Sequence, residues 1–144
     1  MTCTFFGHRD TPEHIKPILE ETIIALIINQ NVNTFYVGTH GKFDTMVKRA
    51  LEKIKKFYPS ITCIQVLSYL SNQMNLNENT CFEYVFPDIL EKTLPKFAII
   101  NRNEWMIDHS DYVITYIEHN FGGAAKFANR AHQRNKNVIN LYKL

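Results

Sequence analysis

Two rhythms of apolar residues alternate along the chain. Short runs rich in β-branched and aromatic residues, at positions 2–6, 34–37, 61–67, 112–117 and 138–141, read as strands. Between them lie longer segments in which apolar residues return every three or four positions, the spacing of a helix with one buried face. Segment 16–29 sets Leu19, Ile23 and Leu26 in line with Ile15, flanked by Ile18 and Ile27, and Pro17 suits its first turn. Segment 43–58 sets Met46, Val47, Ala50, Leu51, Ile54 and Phe57 on one side and lysines on the other, and Pro59 stops it. Shorter helices are predicted over 95–108, opened by Thr93 and Pro95, and over 124–134. Strands that are almost wholly apolar, alternating with helices, predict an α/β domain: a mainly parallel sheet of about five strands with helices on both faces. One stretch breaks the rhythm. Residues 71–94 are polar and Asn-rich at first and aromatic later (Phe82, Tyr84, Phe86), which predicts a loop insertion or lid.

Composition narrows this picture. The 144 residues suit one domain with its own core, and no repeat, low-complexity tract or linker divides them. Hydrophobic content of 45% and charged content of 21% are those of a soluble globular protein. A net charge of +2 weighs against both a nucleic-acid partner and a membrane surface. The absence of a leader or a spanning segment leads to the expectation of a cytoplasmic protein with no membrane partner. Cys3, Cys63 and Cys81 show no CxxC spacing and read as free thiols. The six histidines fall in no HxxxH or HExxH pair, so neither a metal site nor a cofactor is expected.

Candidate chemistry gathers where predicted strands end, since ligands of open parallel sheets bind beyond the strand carboxyl ends. Three loops there are unusual: Gly7-His8-Arg9, Gly38-Thr39-His40-Gly41, and the segment from Glu118 to Gly123. In the last, a strand meets Gly122-Gly123 and then a helix. Glycine clears the way for an anion to approach the backbone, and the free N–H groups of the helix start point at it. Each residue has a plainer explanation as well. Gly7 and Gly38 could serve turn dihedrals, Arg9 an ion pair with Asp10, and His8 and His40 loop hydrogen bonds. Asp44 could serve only the helix dipole, and Arg102 could run past an apolar face. Lys126 sits in a first helical turn, where it opposes the dipole, and that favours an anionic neighbour.

Four motifs occur in order: Cys-Thr-Phe-Phe-Gly-His-Arg, Gly-Thr-His-Gly-Lys-Phe-Asp, Arg-Asn-Glu-Trp-Met-Ile-Asp-His-Ser-Asp and Gly-Gly-Ala-Ala-Lys-Phe. Together they resemble the stand-alone SLOG family of bacterial and phage proteins, named after SMF and LOG proteins. The resemblance implies a Rossmann-like three-layer domain that binds a nucleotide or nucleotide-derived ligand. Its LOG-type members are phosphoribohydrolases with the signature Pro-Gly-Gly-x-Gly-Thr-x-x-Glu and an arginine from an earlier helix. Gly122 and Gly123 match the paired glycines, and Arg102 matches the arginine. Phe121, Ala125, Lys126 and Asn129 stand where Pro, the third Gly, Thr and Glu would be. Without that Glu, binding is expected rather than cleavage of an N-glycosidic bond. Cleavage would need Asp44, Glu118 or Asp111 as a substitute.

The implied ligand site takes in Gly7, His8, Arg9, Gly38, Thr39, Gly41, Asp44, Arg102, Gly122, Gly123 and Lys126. Nucleoside monophosphate hydrolysis is the alternative reading, and a single-stranded DNA module, disfavoured by the balanced charge, the third. LOG-type relatives pair through helices beside the pocket. A homodimer or higher homo-oligomer is therefore expected, with Trp105 and Met106 at its interface.

Overall fold

The computed structural model of the chain describes residues 1–70 and 81–144. Six strands form one sheet: β1 (Thr2–Gly7), β2 (Thr34–Val37), β3 (Thr62–Val66), β4 (Phe82–Val85), β5 (Tyr112–Tyr116) and β6 (Asn137–Asn140). Their spatial order is β4-β3-β2-β1-β5-β6, and every neighbouring pair is parallel. Among the described residues four α-helices lie between these strands: α1 (Lys16–Gln30), α2 (Gly41–Phe57), α3 (Ala98–Asp108) and α4 (Gly123–Gln133).

The alternation of side chains along the strands sorts the core into two layers. Cys3, Phe5, Phe35, Ile114 and Tyr116 face one way and pack with Leu19, Ile23 and Leu26 of α1 and Met46, Val47 and Leu51 of α2. Phe6, Val66 and Val113 belong to the other layer, against Met106 and Ile107 of α3 and Phe127 and Ala131 of α4. Leu19 and Ile23 are fully buried, each stabilising the fold by about 1.5–3 kcal/mol. Pro17 sits in the first turn of α1, and Asn31 ends that helix in a left-handed conformation (φ 55°). The result is the Rossmann-like α/β architecture with helices on both faces.

Two sequence expectations change here. The sheet has six strands, because β4 occupies part of the stretch expected to be insertion. Its Phe82-Glu83-Tyr84-Val85 alternation is a strand signal, overshadowed by the polar residues ahead of it, and Cys63 pairs in register with Phe82. The aromatic end expected to close over a ligand is thus partly an edge strand, while residues 71–80 of the proposed lid lie outside the described residues. The second change concerns α3. Met106 is 1% exposed in the core, and Trp105 stacks on His109 at 4.0 Å and meets Tyr36 edge-on at 5.2 Å. Met106 is therefore core rather than surface, while Trp105 is half-buried against the domain and remains partly exposed.

From β1 the chain steps outward through β2 and β3 to β4, then returns to the far side of β1 to lay down β5 and β6. The direction of winding reverses between β1 and β5, and there the loops that follow them part to opposite faces. A crevice is left at their carboxyl ends.

Candidate functional site

That crevice is a cleft of about 950 Å³. The end of β1 contributes Gly7, His8 and Arg9; the start of α2 contributes His40, Gly41 and Asp44. Helix α3 adds Ile99, Arg102, Asn103 and Met106, and the segment leading into α4 adds His119, Phe121, Gly122 and Gly123. Eight of the eleven residues expected at the site therefore line one cavity. Gly38 and Thr39 lie behind its wall, in contact with Arg102. Lys126 instead borders a neighbouring hollow of about 370 Å³ with Asn129 and Arg130.

Arg102 is the unusual residue. Its side chain is 2% exposed, yet every bond it makes is to a neutral acceptor. Its Nε–H donates to Asn103 Oδ1 at 2.7 Å, and its Nη1 donates to Thr39 Oγ1 at 3.1 Å and to the Val66 carbonyl at 3.0 Å. Among the described residues no carboxylate forms an ion pair with it, and Nη2 has no hydrogen-bond acceptor there. Burial presses its pKa downward and Asp44 offsets part of that, but a guanidinium keeps its proton in proteins. A buried cation hydrogen-bonded only to neutral groups, with Asp44 near it but not ion-paired, makes this wall a candidate anion site.

Asp44 and Arg102 close over Gly38. A Cβ there would fall 2.8 Å from Asp44 Oδ2 and 3.3 Å from Arg102 Cζ, so any larger residue would push these two side chains out of place. Asp44 Oδ2 accepts the backbone N–H of His40 at 3.1 Å. Burial raises the Asp44 pKa to about 6, against the lowering influence of that bond and of Arg102. The Thr39 hydroxyl accepts from Arg102, so its own proton goes to His40 Nδ1, 2.8 Å away. Burial and Arg102 both lower the His40 pKa, which favours its neutral ring.

His8 organises the opposite wall. The backbone N–H groups of Glu118 and His119 point at its Nε2, 3.1 and 3.4 Å away, so Nε2 accepts and the ring proton sits on Nδ1. Burial, then His119, lowers its pKa and favours this neutral form. The His8 and His119 rings stack at 3.7 Å, and His119 stacks in turn on Phe121 at 3.9 Å. The side chain of Asn140 bonds both the N–H and the carbonyl of Ile117 at 2.9 Å, extending the β5–β6 ladder into the loop. Gly122 caps α4 with φ 93°, a conformation that strains any residue with a Cβ, and no side chain caps that helix start.

Of the candidates named from the sequence, the end of β1, the start of α2, Arg102 and the paired glycines come together in this cleft. His119, Phe121 and Asn103 also line it and were not among those candidates. The first two carried a signal: a histidine and an aromatic residue, two apart, directly before Gly122. Asn103 could be placed only by seeing Arg102 fold back on its neighbour. Asn129, where the LOG-type Glu would stand, is exposed and opens on the neighbouring hollows rather than the cleft. Among the described residues no group of three or more His, Cys, Asp or Glu is placed to hold a metal ion, and no helix is long and apolar enough to cross a membrane.

No protein-family model matches the chain, and no curated protein matches it in sequence. Solved structures do resemble it. The X-ray structure of DNA processing protein A (DprA) from Streptococcus pneumoniae is similar with a TM-score of 0.63 and 16% identity, over 95% of this chain and 48% of that one. A structure described as giving the single-stranded DNA binding mode of DNA processing protein A from Helicobacter pylori has a TM-score of 0.64 and 16% identity, over 96% of this chain and 63% of that one. The chain thus spans less than two thirds of either protein, and at this identity the likeness is one of fold. It corrects one expectation, that nucleic acid is not a partner, since a protein of this fold is described as binding single-stranded DNA. Whole-chain charge averages exposed lysines against exposed carboxylates and gives no weight to where a single cation is buried.

Proposed function

We propose that this chain binds single-stranded DNA, seating a backbone phosphate in the cleft between the ends of β1 and β5. The observation that carries the proposal is Arg102, a buried guanidinium whose hydrogen-bond partners are all neutral, lining that cleft. A phosphate there takes charge-assisted bonds from its unused Nη2. The uncapped N–H groups at the start of α4 border the same cleft and serve the same anion. Exposed Arg9 at the rim adds a screened attraction for the rest of the strand. The DNA-binding description of the Helicobacter pylori protein supports nucleic acid as the class of ligand.

A free nucleotide or nucleotide-derived molecule is the second reading. It is favoured by the cleft's volume of about 950 Å³ and its apolar wall of Ile100, Met106 and Phe127, which suit an enclosed small ligand. Neither reading requires turnover: Asn129 stands where the LOG-type carboxylate would be and opens away from the cleft, and of the possible substitutes only Asp44 lines it.

Fluorescence anisotropy with a short labelled oligothymidylate tests the proposal. The wild-type protein is expected to bind and to weaken as salt is raised. Arg102→Gln, checked for folding by circular dichroism, is expected to bind about ten- to a hundredfold more weakly, the loss of a charged hydrogen bond. No binding of any oligonucleotide at low salt, alongside calorimetric binding of nucleoside monophosphates, would replace this reading with the second.

A further inference from the structure

We infer that Phe121 is a stacking platform for one unpaired nucleobase, flanked by two separate phosphate positions on either side of its ring. The inference rests on the proposed binding of single-stranded DNA and adds how the strand runs across the surface.

Three planar rings form a column, His8 on His119 at 15° and His119 on Phe121 at 18°. The His8 end is 6% exposed and the Phe121 end is 67% exposed. Phe121 belongs to neither core cluster, so the fold does not require its apolar ring. Nor is the ring loosely held. The Phe121 carbonyl accepts from His119 Nδ1–H at 3.1 Å, and the backbone of Glu118 and His119 is anchored on His8 Nε2. A flat apolar surface thus stands in solvent with its backing already in place. A base that stacks there loses little freedom beyond its own.

The placement of the ring selects the ligand. Phe121 and Gly122 belong to both the main cleft and the smaller hollow that holds Lys126 and Arg130, so the ring stands on the ridge between them. Arg102 lies on one side. On the other is Lys126, which makes no ion pair among the described residues and whose Nζ sits 6.0 Å from the Phe127 ring centre. Cation, exposed ring, cation is the order of phosphate, base, phosphate along a single strand. A peptide or a lipid surface has no such alternation of flat apolar groups and anions. Stacking also explains why the ring need not read sequence, since every base offers a π-face.

Binding of a labelled oligothymidylate is compared with binding of a fully abasic strand of the same length, using wild-type protein, Phe121→Ala and Phe121→Trp. Phe121 is exposed, so neither change disturbs the core. Phe121→Ala is expected to weaken the normal strand about five- to a hundredfold and to leave the abasic strand unchanged. Phe121→Trp is expected to keep affinity and to show quenching on binding beyond that of native Trp105. Lys126→Ala is expected to lower the salt dependence by about one phosphate contact. If wild type binds and Phe121→Ala matches it, or loses both strands equally, the platform is overturned while the cleft reading stands. If wild type binds no oligonucleotide, both are overturned.

Discussion

Asp44 is a cleft residue whose chemistry depends on where it is buried. Its folded pKa of about 6 lies above its ordinary value of 3.8, so between those values the folded state holds a proton that the unfolded state has released. Stability therefore falls as pH rises from about 4 through about 6 and is level above that. Asp44→Asn keeps an acceptor for the His40 N–H and removes the titration. Thermal unfolding over that pH range should show a flatter profile and a variant more stable than wild type at neutral pH. Ionised Asp44 also competes with a phosphate for Arg102. DNA affinity should weaken as pH rises through about 6 in wild type, and less so in the variant. The glycines separate in a similar way. A Cβ on Gly7 would fall 2.3 Å from the ring of Phe43, which is 1% exposed and has nowhere to go. Gly7→Ala should cost about 1–3 kcal/mol in denaturant unfolding. A Cβ on Gly123 meets nothing within 4 Å, so Gly123→Val should stay folded and lose ligand instead. Both glycines were visible in the sequence as candidates. Their different reasons were not, because Phe43 is remote from Gly7 along the chain and nothing local links them.

At the level of elements, periodicity carried most of the information. The strands are apolar on both faces and the helices on one, and the boundaries of α1, β2 and β5 fall within a residue or two of the pattern. What the pattern lacked was partners. Strand β4 borrows its identity from β3, and Met106 looked exposed only because the sheet beneath α3 could not be seen. The pairing of α3 with α4 was equally hidden: Glu104 takes both Arg130 and Arg134, and Asp108 also takes Arg134. These pairs are partly exposed, so Glu104→Gln should lower stability by less than about 1 kcal/mol. It also frees Arg130, which shares a hollow with Lys126. Oligonucleotide binding by this variant should be tighter than wild type at low salt and converge with it at high salt.

For the whole molecule, the sequence made the site's chemistry legible as three loops, and the winding of the sheet turned them into one place. The topology has a further consequence, which concerns synthesis. His8 and the Glu118 N–H that it holds are 110 positions apart, and β1 has its two neighbours in β2 and β5. A nascent chain that has released its first two strands still presents one open edge of β1 until β5 emerges. That edge, with Cys3, Phe5 and Phe6 along it, is the kind of unpaired strand that joins other chains. The cleft cannot exist before the edge is closed. The closed edge of β1 and the cleft beside it therefore both wait on the docking of β5, and the cleft then needs the start of α4 as well.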